Sequence, residues 1–242
     1  MALLPKLRDL ASKGFRNEPM RKVKDGLRPL KHALVGKEGI YKAIELAQGF
    51  EKQVGKEVLT VFDVGAAIGE AAVPMLKAFP RAQVYCFEPL PDSFKKLTER
   101  TKKFGDRIHR LHFGLYNADA EQTFYVWDGH HDGSSVIKPP AIQKNHEIKI
   151  KTRTLDDVCK ELGITHIDFM KIDVEGVEKE MLEGGRHMLP HVDNVFVEIS
   201  PHRKGFSHDY IDVFEQLHAA GFTFMGMFGD FFFTRLWHPT RD

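Results

Sequence analysis

The sequence predicts an α/β fold: a mostly parallel sheet with helices on its faces and an antiparallel hairpin at the C-terminal end. Three observations predict it. From Val58 onward, short apolar, β-branched runs alternate with helix-period segments, the pattern of strands joined by right-handed helical crossovers. The first run, Val58-Leu59-Thr60-Val61-Phe62-Asp63, has no internal polar alternation, which suits a strand covered on both faces. It passes into Val64-Gly65-Ala66-Ala67-Ile68-Gly69-Glu70. Two glycines four apart permit a tight strand-to-helix turn and let a ligand approach the backbone closely.

Taken in order, Val58–Asp63 reads as strand one and Glu70–Phe79 as the first helix, ended by Pro80. Ala82–Glu88 reads as strand two. The helix after Pro89-Leu90-Pro91 is capped by Asp92 or Ser93 and runs to about Phe104. Ile108–Phe113 is strand three. Gln122–Asp128 and Glu147–Arg153 alternate with period two and read as an inserted antiparallel pair. A long polar loop with His130, His131 and Gly133-Ser134-Ser135 joins them, and long loops often carry function. Thr154 caps a helix over Leu155–Leu162, stopped by Gly163. Ile167–Asp173 is the fourth parallel strand, Gly176–Leu189 a helix stopped by Pro190, and Val192–Ile199 strand five. A helix over 207–220 precedes a hairpin of 222–228 and 231–237 turning at Gly229-Asp230.

At 242 residues, with 42% apolar and 29% charged residues, the chain can bury a large core. Residues 1–57 differ from the rest and are expected to form a basic helical cap or arm, with residues 58–242 as the second unit. Lys and Arg recur between 6 and 42, and Ile40, Ala43, Ile44 and Ala47 make an apolar stripe ending near Gly49. A helical cover with a solvated charged face is the preferred reading. An arm contacting an anionic substrate or membrane surface, or a homodimer contact, stands beside it.

A net charge of +1 offers no global field for nucleic acid, so no nucleic-acid partner is expected. No apolar run approaches the ~20 residues that span a bilayer, no signal-like apolar stretch opens the chain, and Cys86 and Cys159 lie outside any paired spacing. A cytoplasmic protein with reduced thiols is expected.

The candidate site lies where ligands bind open α/β sheets, outside the carboxyl ends of the strands. Glu88 stands 19 positions after Gly69, the spacing of an acid that accepts from ribose hydroxyls. The glycine pattern is not the Gly-x-Gly-x-x-Gly of a pyrophosphate site. Asp63 at the end of strand one would repel a pyrophosphate, but it suits a cationic ligand such as the amino and sulfonium groups of S-adenosylmethionine. Asp173 and Glu175, two apart, share one side if strand four persists that far. They read as a general base, a clamp on substrate hydroxyls or part of a metal site, against the plainer reading of acids at a helix start. No fixed ligand spacing supports a metal, and none is expected.

Phe-Asp-Val-Gly-Ala-Ala-Ile-Gly, Phe-Glu-Pro, Gly-Ser-Ser at 133–135, Arg153-Thr154-Leu155-Asp156-Asp157 and Met170-Lys171-Ile172-Asp173-Val174-Glu175-Gly176 together resemble FkbM-type methyltransferases, over about residues 58–228. Position 67 holds Ala where that family more commonly has Asn. The resemblance implies a class I, Rossmann-like fold of seven strands, S-adenosylmethionine as cofactor, and O-methylation of a sugar-containing or other small hydroxylated acceptor. It implies that Asp63, Gly65, Ala67 and Gly69 surround the methionine part of the cofactor, Glu88 and Pro89 the ribose, and Gly114 and Leu115 the adenine. Asp173 and Glu175 would stand near the transferred methyl. An alcohol needs a base to draw off its proton, and the candidates are Asp173, Glu175, Glu198 and His202. The competing readings are a nicotinamide-dependent oxidoreductase, disfavoured by the missing Gly-x-Gly-x-x-Gly, and a nucleic-acid or other N-methyltransferase.

Overall fold

The computed structural model describes residues 39–127, 145–199, 210–228 and 230–236. Helix α1 covers residues 39–53. There follow β1 (Thr60–Val64), α2 (Ala72–Ala78), β2 (Gln83–Phe87), α3 (Pro91–Thr101), β3 (Ile108–Leu111), β4 (Gly114–Leu115), β5 (Ala120–Trp127) and β6 (Asn145–Arg153). The second half holds α4 (Leu155–Leu162), β7 (Ile167–Ile172), α5 (Glu178–Glu183), β8 (Val192–Val197), α6 (Tyr210–Ala219), β9 (Thr223–Phe228) and β10 (Asp230–Thr234). Seven strands form one sheet in the order β3-β2-β1-β7-β8-β10-β9. Its pairings are parallel except where β10 runs antiparallel between β8 and β9. The expected mostly parallel sheet with a C-terminal antiparallel hairpin is what the chain forms.

Strand residues alternate between the faces of this sheet, and two apolar clusters result. Phe62, Val64, Met170, Ile172, Val195 and Val197 pack with α4, α5 and α6. Their alternates Val61, Phe169 and Phe196 pack with α1, α2 and α3. The apolar stripe of α1 (Ile40, Ala43, Ile44, Ala47, and Phe50 beyond it) is buried in that second cluster. The helix therefore runs past Gly49, where the stripe was expected to end. Cys86 and Cys159 are buried free thiols, used for packing as expected.

The cap of α4 follows its sequence. The Thr154 hydroxyl accepts from the Asp157 amide at 3.1 Å, and Gly163 closes the helix in the left-handed region. Other boundaries need correction. Helix α3 begins at Pro91 with Leu90 at its cap, not with Asp92 or Ser93 as side-chain cap, because proline suits the first helical turn. The helix expected over Gly176–Leu189 is only Glu178–Glu183. A Cβ at Gly184 would lie 2.1 Å from the carbonyl oxygen of Tyr116, so the chain turns there against a neighbouring loop. Pro190 sits inside the short 3-10 turn Leu189–His191. The inserted pair β5–β6 gains a third strand, β4, parallel to β6, in a two-residue piece too short to show periodicity. His130, His131 and Gly133-Ser134-Ser135 lie outside the described residues, as does the whole of the basic segment before residue 39.

Candidate active site

The carboxyl ends of β1, β2, β7 and β8 bring most of the expected residues together. Parallel register sets Asp63 between Cys86 on one side and Lys171 on the other. Asp63 is fully buried. Neither of its carboxylate oxygens has a hydrogen-bond partner among the described residues, and the Lys171 ammonium stands 3.6 Å from Oδ1. Burial pushes the Asp63 carboxyl up to about 6, helped by the charge of Asp173 and opposed by Lys171. The Lys171 Nζ donates to the Gly65 carbonyl at 3.0 Å and to Asp173 Oδ2 at 3.0 Å. One lysine thus ties the glycine turn to two carboxylates. Burial opposes its charge, but Asp173 and Asp63 outweigh that and raise its pKa.

The turn after β1 is packed closely against the ends of the neighbouring strands. Gly65 has φ 76°, and a Cβ there would sit 1.8 Å from the Asp173 carbonyl oxygen, so no other residue fits. The Gly65 and Ala66 amides are held by the Phe87 carbonyl at 3.1 and 3.0 Å. Gly69 is also left-handed. Ala67 has φ 46° and is exposed. This region costs an ordinary L-residue roughly 1 kcal/mol but is tolerated by Asn, which gives a backbone reason for Asn at the matching family position.

Glu88 is 5% exposed and already serves this turn. Its Oε2 accepts from the Ala67 amide at 2.8 Å and its Oε1 from the Leu90 amide at 2.9 Å. Burial still dominates and pushes its pKa up to about 7. A carboxylate has about four acceptor positions, so two remain for hydroxyls, but Glu88 is a clamp on the turn before it is anything else. Pro89 faces Gly114 across the same corner. A Cβ on Gly114 would stand 3.6 Å from Pro89 Cγ, and Leu115 is buried beside it in β4.

Asp173 and Glu175 do not share one side by strand alternation. The strand ends at Ile172, and Glu175 turns the chain at φ 56°. Glu198 follows β8, its amide bound to the Ile172 carbonyl at 2.9 Å. The charge of Asp173, then burial, with Asp230 and Glu175 adding, pushes the Glu198 carboxyl up to about 10. Glu198 and Asp173 thus disfavour each other's negative charge. His202 lies outside the described residues. The sequence reading missed Lys171 as a site residue. Its signal was a lysine inside an apolar strand, Phe169-Met170-Lys171-Ile172, where an unpaired cation could not stay buried.

An aspartate held fully buried without hydrogen-bond partners, beside a glycine that cannot carry a side chain, fits the cationic methionine end of S-adenosylmethionine. The family profile described as methyltransferase FkbM domain matches residues 63–224. The chain belongs to this family. That membership bears out the resemblance carried by the motifs and the methyltransferase class, and it sets aside the oxidoreductase reading. Among curated proteins, 2-O-methyltransferase NoeI of Sinorhizobium fredii is 29% identical over 58% of this chain and 63% of its own length. Hexuronic acid methyltransferase AglP of Haloferax volcanii is 30% identical over 57% of this chain and 55% of its own. The chain thus spans less than two thirds of either relative. Magnesium protoporphyrin IX methyltransferase of Synechocystis, solved with bound S-adenosylmethionine, superposes with a TM-score of 0.47 at 13% identity, over 84% of both chains. No helix among the described residues is long and apolar enough to cross a membrane.

Proposed function

We propose that the chain is an S-adenosylmethionine-dependent O-methyltransferase acting on a hydroxyl of a sugar-containing or other small acceptor. The observation that carries this reading is Asp63 at the Gly65 turn, fully buried with Lys171 3.6 Å away and no close hydrogen bond among the described residues. The activities for which the two relatives are named, 2-O-methylation and hexuronic acid methylation, support the acceptor class. S-adenosylmethionine supplies a methyl group on a cationic sulfur. Asp63, Gly65, Ala67 and Gly69 hold its methionine end, Glu88 and Pro89 the ribose, and Gly114 and Leu115 flank the adenine.

Asp173 takes the proton of the acceptor hydroxyl, with Lys171 fixing the orientation of its carboxylate through the 3.0 Å hydrogen bond. Glu198, whose carboxyl is pushed up by the charge of Asp173, stands with Glu175 and His202 in the candidate set. Positioning the hydroxyl in line with the methyl and excluding water supply much of the acceleration. A cytoplasmic location accords with the two buried free thiols.

The test is mass spectrometry of saccharide acceptors, neutral and uronic-acid-containing, incubated with purified chain and S-adenosylmethionine. The expected result is a gain of one methyl on oxygen, lost in Asp173→Asn. Methyl gain on nitrogen, or stabilisation by a nicotinamide dinucleotide but not by S-adenosylmethionine, contradicts the reading.

A further inference from the structure

We propose that Glu178 is a positioning residue: its carboxylate fastens the turn at Glu175-Gly176 and so fixes the loop that carries Asp173 and Glu175. The role rests on the proposed O-methyl transfer, in which this loop faces the acceptor. Strand β7 ends at Ile172 and α5 begins at Glu178, so both candidate acids stand on the connection of residues 173–177. The start of that connection is held twice. The Asp173 amide donates to the Val64 carbonyl at 2.9 Å, and Asp173 Oδ2 accepts from Lys171 at 3.0 Å. Between the two acids, Val174 packs against the apolar cluster under α4, α5 and α6.

The far end of the loop is the demanding part. Glu175 has φ 56° and Gly176 φ 99°, two successive left-handed residues. That conformation suits glycine but costs a residue with a side chain roughly 1–2 kcal/mol, and it persists only where the surroundings enforce it. Glu178 supplies the enforcement. Its Oε1 accepts from the Gly176 amide at 2.8 Å, and the side chain doing so is fully buried.

A plainer role for Glu178 is that of an acid in the first turn of a helix, where unpaired amides favour negative charge. Two observations go beyond it. Acids at helix starts are ordinarily solvated, and a carboxylate is buried completely only where hydrogen bonds repay the desolvation. Glu178 also reaches backward past Val177, the cap residue of α5, to an amide outside the helix. The bond therefore closes the turn and not the helix. With the loop pinned at Asp173 and at Gly176, the backbone of Glu175 is left one direction. Its charge and that of Asp173 both bear on Glu198 at the end of β8 and push that carboxyl up, so the loop brings its two acids to one place. Groups held there in advance can orient an acceptor hydroxyl without first being ordered themselves.

Three variants of the full chain separate reach from charge. Glu178→Gln keeps an acceptor oxygen at the same reach, Glu178→Asp keeps the charge but is one methylene short, and Glu178→Leu keeps neither. Hydrogen exchange of the ligand-free chain, read by mass spectrometry, should be about ten-fold faster over residues 173–177 in Glu178→Asp and Glu178→Leu. Glu178→Gln should match wild type, and β1 and β8 should be unchanged in all three. S-adenosylhomocysteine affinity should stay within about three-fold of wild type, because the Asp63–Gly69 turn holds the cofactor. On a saccharide that the wild type methylates, kcat/KM should fall about ten-fold in Glu178→Asp and Glu178→Leu and recover in Glu178→Gln. Where Glu178→Leu does not fold, Glu178→Asp carries the comparison. Wild-type exchange in Glu178→Asp, or exchange in Glu178→Gln as fast as in Glu178→Leu, overturns the proposal. A wild type that binds S-adenosylhomocysteine but methylates no saccharide contradicts the acceptor reading instead, and the exchange result still decides the role of Glu178.

Discussion

Asp63 and Asp168 are buried aspartates on the neighbouring central strands β1 and β7, at opposite ends of the sheet, and the chain partners them in opposite ways. Asp168 stands near the start of β7, where one oxygen accepts two backbone amides from the entry to β1. Asp63 stands near the end of β1, with no close hydrogen bond among the described residues, the Lys171 ammonium 3.6 Å away and the Ala72 amide in its neighbourhood. Burial penalises both charges. Asp168 recovers the loss by joining two strands, so its carboxylate is building material. Asp63 is left short of partners, and its pKa rises to about 6 in consequence. A carboxylate kept in that condition is suited to a cationic ligand that completes its solvation.

The variants that break this contrast differ in what they damage. Asp168→Ala should have the largest effect on stability, roughly 2–4 kcal/mol in urea denaturation, because two backbone amides lose their acceptor. A loss under 1 kcal/mol would show that the amides find other partners. Lys171→Met removes the cation shared by Asp63, Asp173 and the Gly65 carbonyl. It should lower kcat/KM for methyl transfer at least ten-fold, with partial recovery in Lys171→Arg. Equal rates in Lys171→Met and wild type would remove Lys171 from the positioning role.

The pH dependence sharpens the comparison further. A buried acid with a raised pKa contributes most to stability below its unfolded value, and that contribution is lost as pH rises from about 4 through about 6. Cofactor affinity should move the other way. It should fall as pH drops through about 6 and Asp63 becomes neutral, with that step absent in Asp63→Asn when titrated by calorimetry. The smallest effect is expected at Ala67. Ala67→Gly should stabilise the ligand-free protein by up to about 1 kcal/mol, because glycine relieves the left-handed strain. A lower Tm would mean that the side chain makes a contact worth more than the strain.

Much of the fold was legible because its signals are local. Thr154 with Asp157 and Gly163 marked both ends of α4, and the apolar runs of β1, β7 and β8 marked a sheet buried on both faces. Signals that depend on tertiary contact were not legible. Helix α5 stops early at Gly184, which packs too closely on the Tyr116 carbonyl, 68 positions away, to carry a side chain. Asp173 and Glu175 were expected to share a side only if the strand ran that far, but it ends at Ile172 and the chain turns at φ 56° at Glu175. At the site, Asp63 and Glu88 could be placed by spacing, but the clamp of Glu88 on Ala67 and Leu90 could not. Lys171 was visible in its motif, and only the parallel register of β1 and β7 shows what it faces.

The most direct test of the account is calorimetric titration of the full chain with S-adenosylhomocysteine, wild type against Asp63→Asn, at pH 7.5, together with the Tm of each ligand-free protein. The account predicts one site per wild-type chain, at least ten-fold weaker in the variant, with a ligand-free Tm unchanged or raised. Equal affinity in the two proteins, or a variant that binds as wild type but melts several degrees lower, would contradict it and make Asp63 a second Asp168.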